Sequence, residues 1–254
     1  MHYTQAIVRR PGRSLVAGLT SGGGTAPHYE RALEQHDGYV RALERCGLQV
    51  HQLAADEAFP DSTFVEDVAV VTSRCAILTA PGAPSRTGEV AAIRPVLARH
   101  HAQIHAIDAG AALDGGDVMQ IGSHFYIGLS QRTDPAGARQ LIGILEGYGM
   151  SGTTLSVNGF LHLKTGVTWL GDNTLIAAQA FIGHPQLAGF ELIPVAPQEQ
   201  GAANCLLINN HILMPAGYPR ARKQIARLGR EIIEIDISEF AKLDGGLTCL
   251  SLRF

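Results

Sequence analysis

A cysteine, a histidine and several carboxylates stand out in this chain because together their side chains could act on a carbon centre. Cys249 lies in the closing stretch "LDGGLTCLSLRF", and His162 lies in "FLHLKTG". A thiolate is a nucleophile, and an imidazole can give and take protons near neutral pH. Each residue also has an ordinary structural interpretation, since lone cysteines and histidines between leucines are often core residues. Residue types alone therefore leave nucleophilic catalysis open.

The acidic residues Asp61, Glu66 and Asp67 crowd into "PDSTFVED". A solvated acidic loop is one interpretation. The stretch "FVEDVAVV", however, runs directly into a β-branched strand, and acids at the start of such a strand favour a cationic partner. A guanidinium would fit, because carboxylates accept its N–H donors in parallel hydrogen bonds.

Other candidates are ambiguous when taken singly. Asp114 precedes two glycines in "LDGGDV" and could be a turn aspartate. Arg86 in "SRTGE" and Arg132 in "SQRTDP" would ordinarily be surface arginines. The stretch "LDGG" recurs before Cys249, with Asp244 in the place of Asp114, which predicts that the two stretches are corresponding strands. Glycines in strands often mark bulges or close approach of another backbone.

The elements that must position these residues alternate along the chain. Four stretches have short apolar runs separated by turn residues and predict β-hairpins: "FVEDVAVVTSRCAILTA", "LDGGDVMQIGSHFYIGL", "FLHLKTGVTWLGDNTLIAA" and "ANCLLINNHILMPAG". Helical periodicity predicts helices over His28 to Cys46, Pro135 to Tyr148 and Pro219 to Leu228. Pro95, in "GEVAAIRPVLARH", is expected to kink or restart a helix.

A repeat of about forty to fifty residues relates these elements. In each unit one polar residue near the first strand marks the repeat. These repeat marks are Asp67, Asp114, His162, Asn204 and Asp244. Five units could close into a ring. The closing "LDGGLTCLSLRF" has no unit after it, so we expect it to pair with the N-terminal strand "QAIVRR".

Composition narrows the classes of function. The chain has 254 residues, 46% of them hydrophobic, enough for a sizeable core. Its net charge of -3 and lack of a basic stripe argue against a nucleic-acid partner. No secretory leader and no run of eighteen apolar residues are present, so we expect a cytoplasmic protein without membrane association.

Neither disulfides nor a metal site are predicted. The four cysteines, Cys46, Cys75, Cys205 and Cys249, are widely spaced, and reduced thiols are expected. We assign the first three structural roles, Cys46 in a helix and the other two in strands. The histidines of "HHAQIH" lack a completing cysteine or carboxylate, so a solvated helix end is the preferred interpretation.

In order and spacing, the motifs resemble those of the dimethylarginine dimethylaminohydrolases of the pentein superfamily, over essentially the whole chain. They are "RSLVAGLT", "FPDSTFVEDVAVV", "SRTGE", "LDGGDV", "FYIGLSQRT", "LHLKTG", "AANC", "MPAGYP" and "DGGLTCLS". The resemblance implies one catalytic domain over residues 1–254, an α/β fold with five propeller blades of ββαβ units around a central active site. It also implies hydrolysis of dimethylarginine or monomethylarginine to citrulline, without a metal or cofactor.

The resemblance also implies a role for each candidate. Cys249 would be the nucleophile, His162 the general acid and base, and Asp114 the carboxylate that orients the imidazole. Some relatives have glutamate at the position of Asp114. By the same resemblance, Asp67 would bind the guanidinium of the substrate, and Asp61 and Glu66 would line the site. Arg86 and Arg132 would bind the α-carboxylate. The carbonyls of Leu19 and Leu243 would accept from the α-amino group, and Asp244 would hold the substrate end or the loop.

Alternatives remain open at this point. The same residues would serve a pentein acting on unmethylated arginine or agmatine, although arginine deiminases are longer. A pentein that only binds a partner is a second alternative, and a thiol protease a third. The glycine-rich "GLTSGGGT" lacks the lysine of a phosphate-binding loop, and we interpret it as a mobile lid. A symmetric homodimer is the default expectation, because it is the commonest oligomer.

Overall fold

The strands of the computed structural model, which describes residues 2–254, form five separate three-stranded sheets. In every sheet the middle strand pairs antiparallel with one neighbour and parallel with the other. The strands, sheet by sheet, are β1 (Gln5–Arg9), β2 (Gln49–Leu53) and β15 (Leu252–Arg253); β3 (Ala69–Val71), β4 (Ala76–Leu78) and β5 (Ile104–Ala106); β6 (Val118–Ile121), β7 (His124–Leu129) and β8 (Ser151–Ser156); β9 (Val167–Gly171), β10 (Thr174–Ala178) and β11 (Glu191–Val195); and β12 (Leu206–Ile208), β13 (His211–Pro215) and β14 (Glu231–Ile235).

The four predicted hairpins are present. They are the pairs β3–β4, β6–β7, β9–β10 and β12–β13. Three of them turn through a residue with positive φ, namely Gly122, Asp172 and Asn209. Tight hairpin turns favour glycine, asparagine and aspartate at such positions, because these residues tolerate the left-handed region. The hairpin turns are therefore specified locally by sequence.

Four of the α-helices cross from the middle strand of a sheet to its parallel neighbour, and the two short ones, of four residues each, lie before β9 and after β14. The α-helices are α1 (Tyr29–Arg45), α2 (Glu89–Leu97), α3 (Pro135–Glu146), α4 (Leu163–Gly166), α5 (Pro219–Ile225) and α6 (Ser238–Ala241). Asp134 caps α3 by accepting the N–H of Gly137 at 2.7 Å, and Pro135 begins that helix. The predicted helices are confirmed, although α5 continues as a 3₁₀ turn over Ala226–Leu228.

Two details of the predicted pattern are wrong. In the β9–β11 sheet, two short 3₁₀ turns, Gln179–Phe181 and Pro185–Leu187, replace the crossing helix. Pro95 does not restart a helix, since α2 runs continuously through it, and the alternative of a kink at Pro95 stays a prediction. The proline lies in the last turn of α2, where its ring interrupts little of the helix.

The two chain ends close the ring. β15 pairs antiparallel with β1, with Ala6 opposite Arg253 and Ile7 opposite Leu252, as predicted. The apolar side chains pack between sheets and helices in four clusters, of which the largest surrounds α1 and includes Tyr39, Leu43 and Phe240. No helix within residues 2–254 is long and apolar enough to cross a membrane.

The two "LDGG" stretches are not strands, which corrects the prediction. Gly115 and Gly116 belong to a 3₁₀ turn that precedes β6, whereas the second stretch follows α6 and turns through Asp244 at φ 58°. The interpretation of their glycines as places of close approach is correct. A side-chain carbon at Gly115 would overlap the carbonyl of Glu66, and one at Gly245 would overlap the ring of Phe64.

A buried histidine makes the stability of the fold depend on pH. His36 on α1 is fully buried, and burial lowers its pKa to about 4 from an ordinary value of 6.5. Between these values the unfolded chain binds more protons, so the free energy of unfolding should fall as pH falls from 6.5 to about 4. The expected loss is at most about 3 kcal/mol.

This expectation is checked by urea unfolding at several pH values between 4 and 7.5. His36→Gln should flatten the dependence in that window, whereas His2→Gln, at an exposed position, should leave it unchanged. An equally steep dependence in the His36→Gln protein would contradict the assignment to His36.

Candidate active site

A ring of short helical turns lies at the first strands of the five sheets. Each turn comes before its strand, either directly or after one or two residues, and the five are Val65–Val68, Gly115–Asp117, Leu163–Gly166, Pro197–Ala203 and Thr248–Leu250. Contacts between neighbouring turns run from Thr248–Leu250 through the first three turns to Pro197–Ala203, and Asn204, directly after that turn, binds Thr248. The repeat marks Asp67, Asp114, His162 and Asn204 all lie in or beside these turns. In the fifth unit the equivalent place is taken by Cys249, not by Asp244 as predicted.

The imidazole of His162 is held by a buried carboxylate. Its Nε2 lies 2.9 Å from Oδ2 of Asp114 and 3.8 Å from Oδ1 of Asp67. Asp114 is fully buried, and its other oxygen accepts the N–H of Gly82 at 2.8 Å. Within residues 2–254, the Nδ1 atom of His162 has no hydrogen-bond partner. This atom is therefore the one available to exchange a proton.

Asp67 is surrounded by donors. Its Oδ1 accepts the N–H of Gly116 at 3.0 Å, and its Oδ2 accepts from Nη1 of Arg86. Burial works against the charge of Asp67, but His162 and Arg86 lower the pKa of its carboxyl group. Asp67 is therefore an anion beside the imidazole.

The guanidinium of Arg86 is already committed to carboxylates. Besides Asp67 it binds Glu89, with Nε to Oε1 at 3.0 Å and Nη2 to Oε2 at 2.8 Å. Its Nη2 also reaches the carbonyls of Phe64 and Asp61. Arg86 is buried, and it would have to give up part of this arrangement to bind a substrate carboxylate.

Cys249 lies in the last turn of the ring, buried among backbone donors. The N–H of Gly246 points at its Sγ at 3.5 Å. The preceding residue, Thr248, donates its N–H to Oδ1 of Asn204 at 3.0 Å. The Nδ2 of Asn204 donates in turn to the carbonyl of Lys164 at 2.7 Å, two residues after His162. One amide side chain thus joins the turn of Cys249 to the turn of His162.

In the free protein the thiol of Cys249 is neutral and the imidazole of His162 is charged. Burial, together with the charges of Glu66 and Asp67, raises the pKa of Cys249 to about 12. Burial disfavours the charged form of His162, yet Asp67, Asp114 and Asp117 raise the pKa of that imidazole to about 9. Near neutral pH the cysteine therefore needs a further positive charge to ionise.

Slow alkylation of the free protein by iodoacetamide near neutral pH is expected from this arrangement. The rate should rise steeply above pH 9, because only the thiolate reacts. The reaction is followed by mass spectrometry, with Cys249→Ser giving the background from Cys46, Cys75 and Cys205, whose pKa values burial also raises. Fast modification of Cys249 at pH 7 would show that its thiolate forms without a bound cation.

Glu66 faces away from Asp67 into a group of cations. Its Oε1 lies 2.6 Å from Nζ of Lys164 and 3.0 Å from Nη2 of Arg253. These residues line one end of a cavity of about 110 Å³ at the centre of the five sheets. Glu66, predicted to line the substrate site, is thus engaged in ion pairs on the inner side of the ring.

The remaining predicted substrate residues form a rim. Oδ1 of Asp61 accepts the N–H of Leu19 at 3.0 Å, and Oδ2 of Asp244 accepts the N–H of Ser21 at 2.6 Å. A side-chain carbon at Gly18 would lie 2.9 Å from Leu243, so that residue is a close neighbour of the same loop. These bonds hold the glycine-rich segment over the rim, and its motion as a lid remains a prediction.

Arg132 differs from Arg86 in being unengaged. It is half-buried, and its guanidinium makes no hydrogen bond or ion pair within the described part of the chain. Its charge nevertheless acts on Asp61, where burial raises the carboxyl pKa and Arg86 and Arg132 oppose that rise. Arg132 is therefore the more accessible of the two arginines.

A metal ion is a conceivable occupant of this site. Asp67, Asp114 and His162 offer one ligand atom each within 4.8 Å of one another. However, Arg86 already neutralises Asp67, and Asp114 already binds the imidazole. Ligand atoms with these partners would bind a divalent cation poorly. The absence of a metal remains a prediction.

The "HHAQIH" stretch does not gather its imidazoles on one site, but it is not a solvated helix end either. His100 and His101 follow α2 and pack half-buried against the ring of Phe254. The Nε2 atom of His105 lies 2.7 Å from the hydroxyl of Tyr148. All four cysteines are free, as expected, and buried. Cys46 caps α1, while Cys75 and Cys205 lie directly before strands.

Three buried residues of the site escaped the sequence analysis: Glu89, Asp117 and Lys164. Lys164 binds Glu66, Glu89 binds Arg86, and Asp117 binds hydroxyls on another loop. Asp117 carried a usable signal, because "DGGDVMQI" places an acid at the start of an apolar strand, as "FVEDVAVV" does. The other two lie in stretches that are typical of exposed helix ends.

The chain is similar in sequence to dimethylarginine dimethylaminohydrolases along its whole length. A family model described as "N,N dimethylarginine dimethylhydrolase, eukaryotic" matches residues 24–251. The enzyme of that name from Pseudomonas aeruginosa is 49% identical over 99% of this chain and 100% of its own length. The Streptomyces coelicolor enzyme is 39% identical over 100% of this chain and 98% of its own.

Solved structures agree with the sequence comparison. The Pseudomonas aeruginosa protein, as a C249S mutant in complex with citrulline, superposes with a TM-score of 0.99 at 48% identity, covering both chains entirely. A dimethylarginine dimethylaminohydrolase carrying H162G, as an adduct with S-methyl-L-thiocitrulline, gives a TM-score of 0.98 at 48% identity over 99% of this chain and all of its own.

A more distantly related structure is similar to this chain in fold only. The N-terminal domain of ArgZ, a cyanobacterial arginine dihydrolase, has a TM-score of 0.87 at 18% identity, covering 98% of this chain and 96% of its own. The five-unit α/β fold predicted from the motifs is confirmed by these matches together with the five observed sheets.

Proposed function

Because the chain belongs to the dimethylarginine dimethylaminohydrolase family, we propose that it hydrolyses asymmetric dimethylarginine to citrulline and dimethylamine. Monomethylarginine, by the same reaction, yields citrulline and methylamine. The observation that carries the proposal is the identity of 49% along the full length of a curated enzyme with this activity. The arrangement of Cys249, His162, Asp114 and Asp67 supplies the groups that the chemistry needs.

The guanidinium end of the substrate is assigned to the carboxylates of Asp67 and Asp61. Both are buried; Asp61 has no ion pair within the described residues and gains from a cationic partner, whereas Asp67 already pairs with Arg86 and would share its charge between Arg86 and the substrate. A bound guanidinium places positive charge beside Cys249, whose thiol is neutral in the free enzyme. We infer that the substrate itself favours the thiolate, so that the nucleophile is generated only when there is something to attack.

Attack by the thiolate on the guanidinium carbon forms a carbon–sulfur bond and a tetrahedral intermediate. Collapse of that intermediate breaks the bond to the dimethylated nitrogen, which leaves as dimethylamine after taking a proton from His162. The product on the enzyme is an S-alkylthiouronium. The Nδ1 atom of His162 is the assigned proton donor, because Nε2 is bound to Asp114.

Water completes the reaction. The imidazole, now neutral, takes a proton from water as the water attacks the same carbon; collapse then breaks the carbon–sulfur bond, the sulfur of Cys249 takes the remaining hydroxyl proton, and neutral citrulline leaves. Asp114 supports the imidazolium before the first proton transfer and after the second. The roles proposed for Cys249 and His162 are supported by the solved relatives, whose altered positions, C249S and H162G, bear the same numbers.

The amino-acid end of the substrate is assigned to the rim. Arg132 would bind the α-carboxylate, since its donors are free of other partners in the described residues. The carbonyls of Leu19 and Leu243 would accept from the α-amino group, with Asp244 holding the loop above them. Arg86 is the second assigned carboxylate contact, and it would reach the substrate only by releasing Asp61 and Phe64 carbonyls.

Citrulline release from asymmetric dimethylarginine, monomethylarginine, arginine and agmatine, measured side by side, tests the function. Turnover of the two methylated amino acids well above the others is the expected result. Higher turnover of arginine or agmatine would instead favour a deiminase of the same fold. No citrulline from any amino-acid substrate would contradict the proposal.

Removal of the carboxylate contact should affect only substrates that carry a carboxylate. Arg132→Ala is expected to lower kcat/KM for dimethylarginine about 10- to 100-fold, the cost of a hydrogen bond to a charged group. Agmatine, which has no carboxylate, should start as a poor substrate and lose little more. The ratio of the two kcat/KM values is the measured quantity.

Arg139→Ala on the exposed side of α3 is the matched control and should leave that ratio unchanged. The assignment of Arg132 fails if the ratio of dimethylarginine to agmatine is the same in the Arg132→Ala protein as in the unaltered chain.

Further properties follow from the same assignment. We propose that residues 1–254 form one catalytic domain. We also propose that the enzyme acts in the cytoplasm, where its four free thiols stay reduced. Its proposed assembly is a homodimer. Chromatography with light scattering measures the assembly. Strong chelators should not alter activity, because no proposed step uses a metal.

A further inference from the structure

Asp117 is a fully buried carboxylate that no step of the reaction uses. Its Oδ2 accepts the hydroxyls of Ser130 and Thr133, each at 2.7 Å, and its Oδ1 accepts the N–H of Leu163 at 2.8 Å. All three partners donate, so both oxygens act as acceptors, as those of a carboxylate do. The burial of a carboxylate is costly unless it is fully hydrogen-bonded, and this one is.

Each partner of Asp117 leads to a different residue of the active site. Leu163 directly follows His162 and begins α4. The hydroxyl oxygen of Thr133 accepts the backbone N–H of Asp114 at 3.1 Å. The hydroxyl oxygen of Ser130 accepts the backbone N–H of Arg132 at 2.9 Å.

We propose that Asp117 is the positioning residue that fixes His162, Asp114 and Arg132 relative to one another. This inference rests on the proposed function, because it assigns those three residues to the reaction and to the substrate. The side chain of Asp117 thus fixes the positions of His162 and Asp114 relative to Arg132, which binds the far end of the substrate.

The surroundings of Asp117 are built to admit it. A side-chain carbon at Gly128 would lie 2.7 Å from Oδ1 of Asp117 and 2.9 Å from Cβ of Leu163, so glycine leaves the room that this contact needs. The charge of Asp117 also acts on the imidazole, adding to Asp67 and Asp114 in raising the pKa of His162. Asp117 therefore affects both the position and the protonation of the histidine.

The test compares two buried carboxylates that hold helix starts. Asp117→Asn keeps the shape of the side chain but removes its charge and one of its two acceptor oxygens, so that either the two hydroxyls or the N–H of Leu163 faces an NH₂ group instead of an acceptor. Glu239→Gln is the matched control, because Glu239 is buried and accepts the N–H of His28, the residue directly before α1, at 2.7 Å, outside the ring of turns. Both changes should lower the melting temperature.

Only Asp117→Asn should reduce citrulline release from dimethylarginine, by about 10- to 100-fold in kcat/KM. It should also shift the titration of His162, followed by NMR of the ring protons, to lower pH. This second measurement does not depend on turnover, so it can fail or succeed whatever the substrate is. An unchanged kcat/KM and titration in a folded Asp117→Asn protein would overturn the proposal, as would an equal loss of activity in Glu239→Gln.

Two further variants separate the connections and decide the matter if Asp117→Asn does not fold. Thr133→Val removes only the link to Asp114 and should lower kcat with little change in KM. Ser130→Ala removes only the link to Arg132 and should raise KM with little change in kcat. The same kinetic effect from both variants, or none from either, would contradict the positioning role. If the unaltered chain releases no citrulline, the proposed function fails, while the NMR titration still tests Asp117.

Discussion

Cys249→Ser is expected to reduce turnover of dimethylarginine to below about a hundredth of the unaltered value while leaving substrate binding in place. A hydroxyl nearly matches the thiol in shape, but it ionises far less readily and is a much weaker nucleophile. The guanidinium carbon is stabilised by resonance and reacts poorly with weak nucleophiles. Because the proposed contacts of the substrate lie on Asp67, Asp61 and Arg132, the Kd should change little.

Citrulline release gives the turnover, and isothermal titration calorimetry with dimethylarginine gives the Kd. Cys46→Ser is the matched control, since Cys46 is also buried but caps α1 away from the ring of turns. It should retain near-normal turnover. Activity of the Cys249→Ser protein above a hundredth of normal would rule out covalent catalysis by this residue.

His162→Asn should slow both chemical steps with dimethylarginine, by about 10²- to 10⁴-fold, because one imidazole gives a proton in the first and takes one in the second. The two effects can be separated by the choice of leaving group. S-methyl-L-thiocitrulline releases a thiol, which departs with less help from an acid than an amine does. With this compound the variant should form its covalent adduct and then accumulate it.

Rapid-quench mass spectrometry of the intact protein follows the adduct through time. His124→Asn, at the start of β7 and outside the ring of turns, should behave as the unaltered chain does. If the adduct of the His162→Asn protein is hydrolysed at the normal rate, then the residue that activates water is another one.

Local sequence was enough to predict the helices and strands and much of their order along the chain. Hairpin turns at Gly122, Asp172 and Asn209, and the cap of α3 at Asp134, depend on residues that are close in the chain. The repeat also predicted the closing pair of strands correctly. The turns and the cap could be predicted without knowledge of distant contacts because their hydrogen bonds are made within a few residues. The closing pair joins opposite ends of the chain, and it was predicted from the repeat instead.

The contacts between the side chains of the site could not be predicted from local sequence. The partners of Asp117 lie on the loop after β7 and at the start of α4, and those of Arg86 lie in the stretch from Asp61 to Asp67 and at Glu89 on α2. Which charges meet depends on how neighbouring turns pack after the ring has closed. For the same reason the repeat mark of the fifth unit was placed at Asp244, when the turn that joins the ring is the one at Cys249.

The pairing of β15 with β1 also sets an order of events during synthesis. Chains fold from the N-terminus as they leave the ribosome, so β1 can pair with β2 early but must wait for β15 until translation reaches Leu252. Until then one edge of β1 lacks a strand, and edges of this kind invite pairing with other chains. The turns that hold Asp67, Asp114 and His162 can assemble in that interval, whereas the thiol of Cys249 arrives together with the last strand. During synthesis, citrulline release would therefore begin only after the final strand has been made and has docked on β1.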